Sequence, residues 1–479
     1  MFTFQSIQEI TDGVWINHPK DRTISLQKGA FDSRKIEDAE IFFAWKGENS
    51  DGHQYIDQLP GSSIKLVIVE KEVKLDAQIA VLKVPDTQQA LAELAKFLTG
   101  EFRGKIVNIT GSSGKTTAKS WLTHILQDNY NVLTNIGSFN NHIGCPITIL
   151  NVNEKHDLII LEMGTSGLGE LDLLSSIAPA DISVLLNVGS AHLGEFGSKE
   201  NTYRAKLEIF NHQKPSAISI IPFNDDKIKE GYPFKNYQYF GIGSPEYSWK
   251  TISIDPVTKK QQIQFQTPEG SKSIWVNQIG DYVGETLSAL LAICYFLGLK
   301  WNDISGKLAI LPQEKGRSTF VKGLNHVTLL DDVYNANPDS MINMLNTICQ
   351  LDYKNCIGIV GNLAEMDEGL KESADFIVEN IPDKLTGLLL NGETGKILAP
   401  LIQKKHKNIE VNYFGDLSEM IKAALPLCEE NAVIGIKGSR SAHLERVLYA
   451  LKGELVSCNL ERCGLLQMCH LCDQLKNDT

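Results

Sequence analysis

Between the apolar run Ile106-Val107-Asn108-Ile109 and a helical pattern bearing Trp121, Leu122 and Ile125 lies Thr110-Gly111-Ser112-Ser113-Gly114-Lys115-Thr116-Thr117. A strand, a glycine-bearing loop and a helix in that order require a strand end that faces a helix N-terminus, which is α/β architecture. Glycines let the loop curl so that its N–H groups converge, and the helix dipole adds positive potential at the same point. The segment therefore predicts phosphate binding by Gly111, Ser112, Ser113, Gly114, Lys115, Thr116 and Thr117. Lys115 would reach the β- and γ-phosphates of ATP, and the Thr116 hydroxyl would ligate Mg²⁺. Ile109 stands where the usual loop of this kind has its first glycine, so a plain strand-to-helix turn is the competing reading.

The alternation continues. Leu158-Ile159-Ile160-Leu161 and Ile182-Ser183-Val184-Leu185-Leu186 read as further strands of a mostly parallel sheet, and a polar, β-prone stretch over 247–275 reads as hairpins at its edge. A second alternating series starts after Pro312, with Val327-Thr328-Leu329-Leu330, Ile357-Gly358-Ile359-Val360, Leu388-Leu389-Leu390 and Val433-Ile434-Gly435-Ile436. Before the loop, Ile41-Phe42-Phe43-Ala44-Trp45 and Leu66-Val67-Ile68-Val69 suggest a small α/β module, and Leu91, Leu94, Ala95 and Leu98 mark one face of a helix leading out of it. At 479 residues the chain exceeds what one core serves. The expected fold class is α/β in three domains: a small N-terminal module over 1–84, a central P-loop ATPase domain over 85–312, and a Rossmann-like C-terminal domain over 313–479 with a cysteine-containing tail.

Apolar residues make up 42% and charged residues 22% of the chain, the balance of a globular protein. The net charge of -12 repels polyanions, so nucleic acid is not an expected partner, and an anionic substrate must be held by local nitrogens. No basic segment followed by an apolar core opens the chain, and the apolar stretch over 289–299 is too short to span a bilayer. A cytoplasmic monomer with no membrane partner is the simplest expectation. Five of the nine cysteines are scattered singly, as reduced core thiols are. The others, Cys458, Cys463, Cys469 and Cys472, cluster in the tail. Only Cys469-x-x-Cys472 has the ligand spacing of a zinc site, so reduced thiols are expected there in preference to Zn²⁺.

The shortened form Thr-Gly-x-x-Gly-Lys-Thr-Thr resembles the phosphate loop of the Mur ligases and their folylpolyglutamate synthetase relatives. Other segments resemble Mur ligase motifs in the same order. They are Phe139-Asn140-Asn141-His142-Ile143-Gly144-Cys145-Pro146, Glu162-Met163-Gly164, Asn187-Val188-Gly189-Ser190-Ala191-His192, Ala205-Lys206-Leu207-Glu208, Asp331-Asp332-Val333-Tyr334-Asn335-Ala336-Asn337-Pro338 and Lys437-Gly438-Ser439-Arg440. Near the N-terminus, Asp32-Ser33-Arg34, Lys46-Gly47-Glu48 and Asp51-Gly52-His53 resemble the family's uridine-diphosphate module.

The resemblance implies an ATP-dependent amide ligase that works through an acyl phosphate, and the motif forms are those of the branch adding D-alanyl-D-alanine to a UDP-muramoyl tripeptide. It implies catalytic roles for Lys115, Glu162, His192 and Lys206. Two Mg²⁺ ions would be held by Thr116, Glu162, His192 and Lys206, the last as a carbamate. Nucleotide contacts would come from Tyr282, Arg317, Asp332 and Asn335 besides the loop, with Tyr282 taking the place of the family's usual adenine segment after Gly280. Substrate contacts would come from Ser33, Arg34, Lys46, Gly47, Asp51, Gly52, His53, Asn140, Asn141, Asn337 and Lys437. Two alternatives stay open: a paralogous ligase joining another carboxylate and amine, and an ATP-binding regulator that keeps the fold without the reaction.

Overall fold

The computed structural model describes residues 2–47, 50–75, 78–189, 196–363 and 370–456, together with Cys458, Cys463, Cys469 and Cys472. Three α/β units follow one another along the chain. In the first, a sheet runs in the order Val14–Asn17, Ala80–Lys83, Leu66–Val69, Ile41–Phe43, Gly29–Ala30, with only Val14–Asn17 antiparallel to its neighbour. The helix Thr87–Glu101 starts on Asp86, whose carboxylate accepts the N–H groups of Gln88 and Gln89. Its apolar face, Leu91, Leu94, Ala95 and Leu98, is buried in a core shared by the first and middle units, so it joins them as one packed body.

The middle sheet is wholly parallel, in the order Tyr237–Phe240, Ile218–Pro222, Ile182–Leu185, Lys105–Thr110, Leu158–Glu162, Val132–Thr134. Its strands are continuous apolar runs because both faces are covered. From Lys105–Thr110 the chain first builds outward on one side of the sheet and then crosses to the other, so the loop after Thr110 opens at a topological switch point, where open α/β sheets bind ligands. The β-prone stretch forms a separate antiparallel sheet, Trp249–Asp255, Lys260–Thr267 and Gly270–Val276, packed on the helix Asp281–Phe296.

The third sheet runs Thr319–Lys322, Thr328–Asp332, Ala432–Lys437, Asn355–Val360, Gly387–Asn391, Glu410–Phe414, parallel except for the Thr319–Lys322 edge. Among the described residues no helix is long and apolar enough to cross a membrane.

Candidate active site

The middle sheet's register sets the first two functional groups side by side. Glu162 pairs with Ile109 and Leu185 with Thr110, so the glutamate and the phosphate loop emerge at the same sheet edge. Gly114 adopts φ +80°, a conformation that glycine takes without strain, and no side chain caps the helix Lys115–Leu126 that follows. Its first-turn N–H groups are left to an anion. Lys115 Nζ donates to the Gly111 carbonyl at 2.7 Å, which holds the ammonium over the loop. The loop is braced from the next strand end: Ser113 N–H donates to Asn187 Oδ1 at 3.0 Å, and Gly189 N–H to Ser112 Oγ at 2.9 Å.

Glu162 is only 1% exposed, and a carboxylate there is costly unless cations and donors meet it. Its Oε1 accepts from Thr116 Oγ1 at 3.1 Å and from Asn140 Nδ2 at 2.7 Å. Its Oε2 has no hydrogen bond but lies 3.4 Å from the ammonium of Lys119, which itself donates to the carbonyls of Asn135 and Gly137. Lys119 was not singled out in the sequence. It sits one helical turn after Lys115, and that spacing was the available signal. A hydroxyl and a carboxylate, one of whose oxygens lacks a hydrogen bond, form a hard-oxygen pair that suits Mg²⁺.

From the third unit, Arg317 Nη2 donates to Thr116 Oγ1 at 3.3 Å while its guanidinium lies 4.1 Å from the centre of the Tyr334 ring. Lys437 pairs with Asp332 at 2.6 Å and donates to the Asn335 carbonyl at 2.9 Å; adjacent strands pair these two residues directly. Asn337 is buried, and its Oδ1 accepts Ser340 N–H as the cap of the helix Pro338–Gln350, a structural task beside the expected one.

Apart from Lys119, which lies behind Glu162, these groups line one cleft of about 790 Å³ between the middle and third units. Ser112, Ser113, Gly114, Lys115, Thr116, Thr117, Asn140, Asn141, Glu162, Tyr282, Arg317, Asp332, Asn335, Asn337 and Lys437 all border it, so most of the expected nucleotide set converges. Gly111 stands just behind the lining, through its carbonyl to Lys115. The lining also includes Trp249, Gln278 and Glu285, which the sequence did not mark, and Tyr282, whose ring lies 6.3 Å from that of Trp121. Burial pushes the Tyr282 hydroxyl well above its usual range, so it stays protonated and can donate.

Lys206 does not border the cleft. It is 1% exposed on the helix Lys199–Leu207, with the Phe196 ring 6.0 Å away. His192 lies outside the described residues. Ser33, Arg34, Lys46, Gly47, Asp51, Gly52 and His53 sit on the first unit, away from the lining. Arg34 is exposed and clasps Asp32 with two nitrogens, at 2.8 and 2.9 Å. His53 is buried, with Nδ1 on Asp51 at 2.6 Å and Nε2 accepting Glu70 N–H at 3.1 Å, so the ring braces Asp51. The first unit nevertheless reaches toward the cleft: Phe31 stacks on Trp45 at 5.0 Å and meets Phe139, beside Asn140, at 6.1 Å.

Three family descriptions match the chain: Mur ligase family, catalytic domain, over 30–99; Mur ligase middle domain over 109–294; and Mur ligase, glutamate ligase domain, over 316–440. A Bacillus subtilis protein named UDP-N-acetylmuramoyl-tripeptide--D-alanyl-D-alanine ligase is 28% identical over 453 residues, covering 93% of this chain and 97% of the relative. The crystal structure of MurF from Acinetobacter baumannii superposes with a TM-score of 0.84 at 29% identity, covering 95% of this chain and 99% of that one. That of MurF from Thermotoga maritima in complex with ADP has a TM-score of 0.78 at 28% identity, covering 89% and 97%.

Proposed function

Since the chain belongs to the Mur ligase family, we propose that it is an ATP-dependent peptide ligase that joins D-alanyl-D-alanine to UDP-N-acetylmuramoyl tripeptide, in peptidoglycan precursor synthesis. The observation that carries the reading is the convergence, in one cleft, of an uncapped helix N-terminus, Lys115, the Thr116–Glu162 oxygen pair and Arg317 from the opposite wall.

Joining a carboxylate to an amine requires that the carboxylate first be made electrophilic. One of its oxygens attacks the γ-phosphorus of ATP, the bond to ADP breaks, and an acyl phosphate results. The amine then attacks the acyl carbon, loses a proton, and expels inorganic phosphate, which carries away the former carboxylate oxygen. The difficulty is electrostatic, because triphosphate and carboxylate repel one another. Lys115 and the loop N–H groups hold the phosphates, and Arg317 adds positive charge from the third unit. Thr116 and Glu162 are the groups that would hold Mg²⁺, and His192 and a carbamate on Lys206, which stands outside the cleft lining, would hold a second ion; the metal would supply charge neutralisation. Lys437, Asp332, Asn335 and Asn337 face the incoming amine and nucleotide, with Asn140 and Asn141 on the acyl side. Ser33, Arg34, Lys46, Gly47, Asp51 and Gly52, with His53 behind them, receive the uridine diphosphate. The enzyme acts as a cytoplasmic monomer.

The test is purified protein with ATP, Mg²⁺, UDP-muramoyl tripeptide and D-alanyl-D-alanine, read by phosphate release and product mass. The expected product mass supports the assignment. Phosphate release only with other amines supports a paralogous ligase, and none with any acceptor supports a regulator.

A further inference from the structure

Tyr334 lines the cleft and has the Arg440 guanidinium 5.4 Å from its ring; next to Arg440 the third unit holds a second group of chemically able side chains. His443, Glu445 and Cys469 are all buried, at 2%, 2% and 7% exposure, and their ligand atoms lie within 4.8 Å of one another. Cys469 Sγ is 3.4 Å from His443 Nδ1, while His443 Nε2 and the nearby Tyr449 hydroxyl are buried without hydrogen-bond partners. Glu445 Oε1 accepts from Arg440 Nη1 at 3.2 Å, and the Arg440 guanidinium in turn lies 5.4 Å from the Tyr334 ring. His443 adopts a left-handed backbone, φ 49°, which a residue with a side chain takes at a cost.

The tail's own sequence offers only Cys469-x-x-Cys472 as a metal-ligand spacing. Two ligands come instead from the short segment before the helix Glu445–Leu451 and from its first residue, far back in the chain. Cys472 is also buried, and its N–H donates to the Cys469 carbonyl at 3.0 Å, a turn that brings the Cys-x-x-Cys pair close together.

A buried imidazole, carboxylate and thiol whose ligand atoms lie within 4.8 Å of one another are a poor apolar core and a good set of metal donors. The mixed nitrogen, sulfur and oxygen donors select against Mg²⁺ and Ca²⁺, which take oxygen alone, and favour Zn²⁺. Burial also argues against a nucleophilic cysteine, since no substrate reaches it. We propose that His443, Glu445 and Cys469 bind a zinc ion, and that the ion pins Cys469, and with it the C-terminal tail, to the third unit. On binding, the Cys469 thiol releases its proton to solvent. Because Glu445 also holds Arg440, which lies against the cleft-lining Tyr334, the ion is linked to the wall of the cleft through these two side chains.

The site is independent of the ligase reading, and its test does not use activity. The full chain is stripped with chelator and titrated with Zn²⁺, or with Co²⁺ read by its thiolate charge-transfer and tetrahedral absorption bands. The expected stoichiometry is about one ion per chain, with a raised thermal midpoint for the loaded protein. Cys469→Ser and His443→Ala are expected to weaken binding by more than about 100-fold, since even outer-shell losses cost about 10- to 100-fold. Failure of the stripped wild-type chain to take up metal overturns the proposal, as does a cobalt complex without the thiolate band. Undiminished binding by a folded Cys469→Ser protein does so too.

Discussion

Lys115 illustrates what one side chain contributes here. Its ammonium is held over the phosphate loop by a 2.7 Å bond to the Gly111 carbonyl, so removing it leaves the triphosphate repelling the acyl carboxylate. Lys115→Ala is expected to lower the rate of ATP-dependent phosphate release by about a thousandfold or more, the scale of losing a preorganised charge at a reacting group. Activity within a few-fold of wild type would contradict its role. For Lys206→Ala the expected result is loss of rate with partial recovery on adding short carboxylic acids, which would stand in for a carbamate; loss without recovery would assign the buried lysine a structural task. The sequence disclosed Lys115, Thr116 and Glu162 because each stands at a strand end or helix start in a recognisable string. It did not disclose Lys119, Trp249 or Glu285, whose importance comes from tertiary contacts with residues distant along the chain.

The elements were readable where they are long and apolar. Each parallel strand of the middle sheet named from the sequence is present, because strands buried on both faces leave unbroken runs of Ile, Leu and Val. Short or half-exposed strands such as Val14–Asn17, Thr319–Lys322 and Glu410–Phe414 leave no such run, and they escaped notice. Packing between elements was equally hidden. In the helix Asp281–Phe296, Gly284 lies against Trp249 of the antiparallel sheet so closely that an added Cβ would come within 2.1 Å of the indole. Gly284→Ala should therefore cost about 1–3 kcal/mol in thermal unfolding, outweighing the roughly 1 kcal/mol that alanine gains over glycine in a helix, and should displace Trp249 from the cleft. A stabilised variant would show that the contact relaxes freely.

At the level of the whole molecule, the cleft exists only because two units meet. Arg317 crosses from the third unit to Thr116 at 3.3 Å, and Tyr334 approaches Ser138 at 3.5 Å between hydroxyls. Closing such a cleft excludes water from an acyl phosphate, which would otherwise hydrolyse. Arg317→Ala should lower kcat/KM for ATP by about 10- to 100-fold, and Arg317→Lys should recover little of it, because a planar fork stacked on an aromatic ring is not replaced by a point charge. Unchanged kinetics would mean that the two walls act separately. The decisive experiment follows one oxygen atom. With the tripeptide carboxylate labelled with heavy oxygen, turnover in the presence of ATP and the amine should deliver a labelled oxygen into the inorganic phosphate released. Product formed while the phosphate stays unlabelled would contradict an acyl phosphate, and with it the account of why these charges converge.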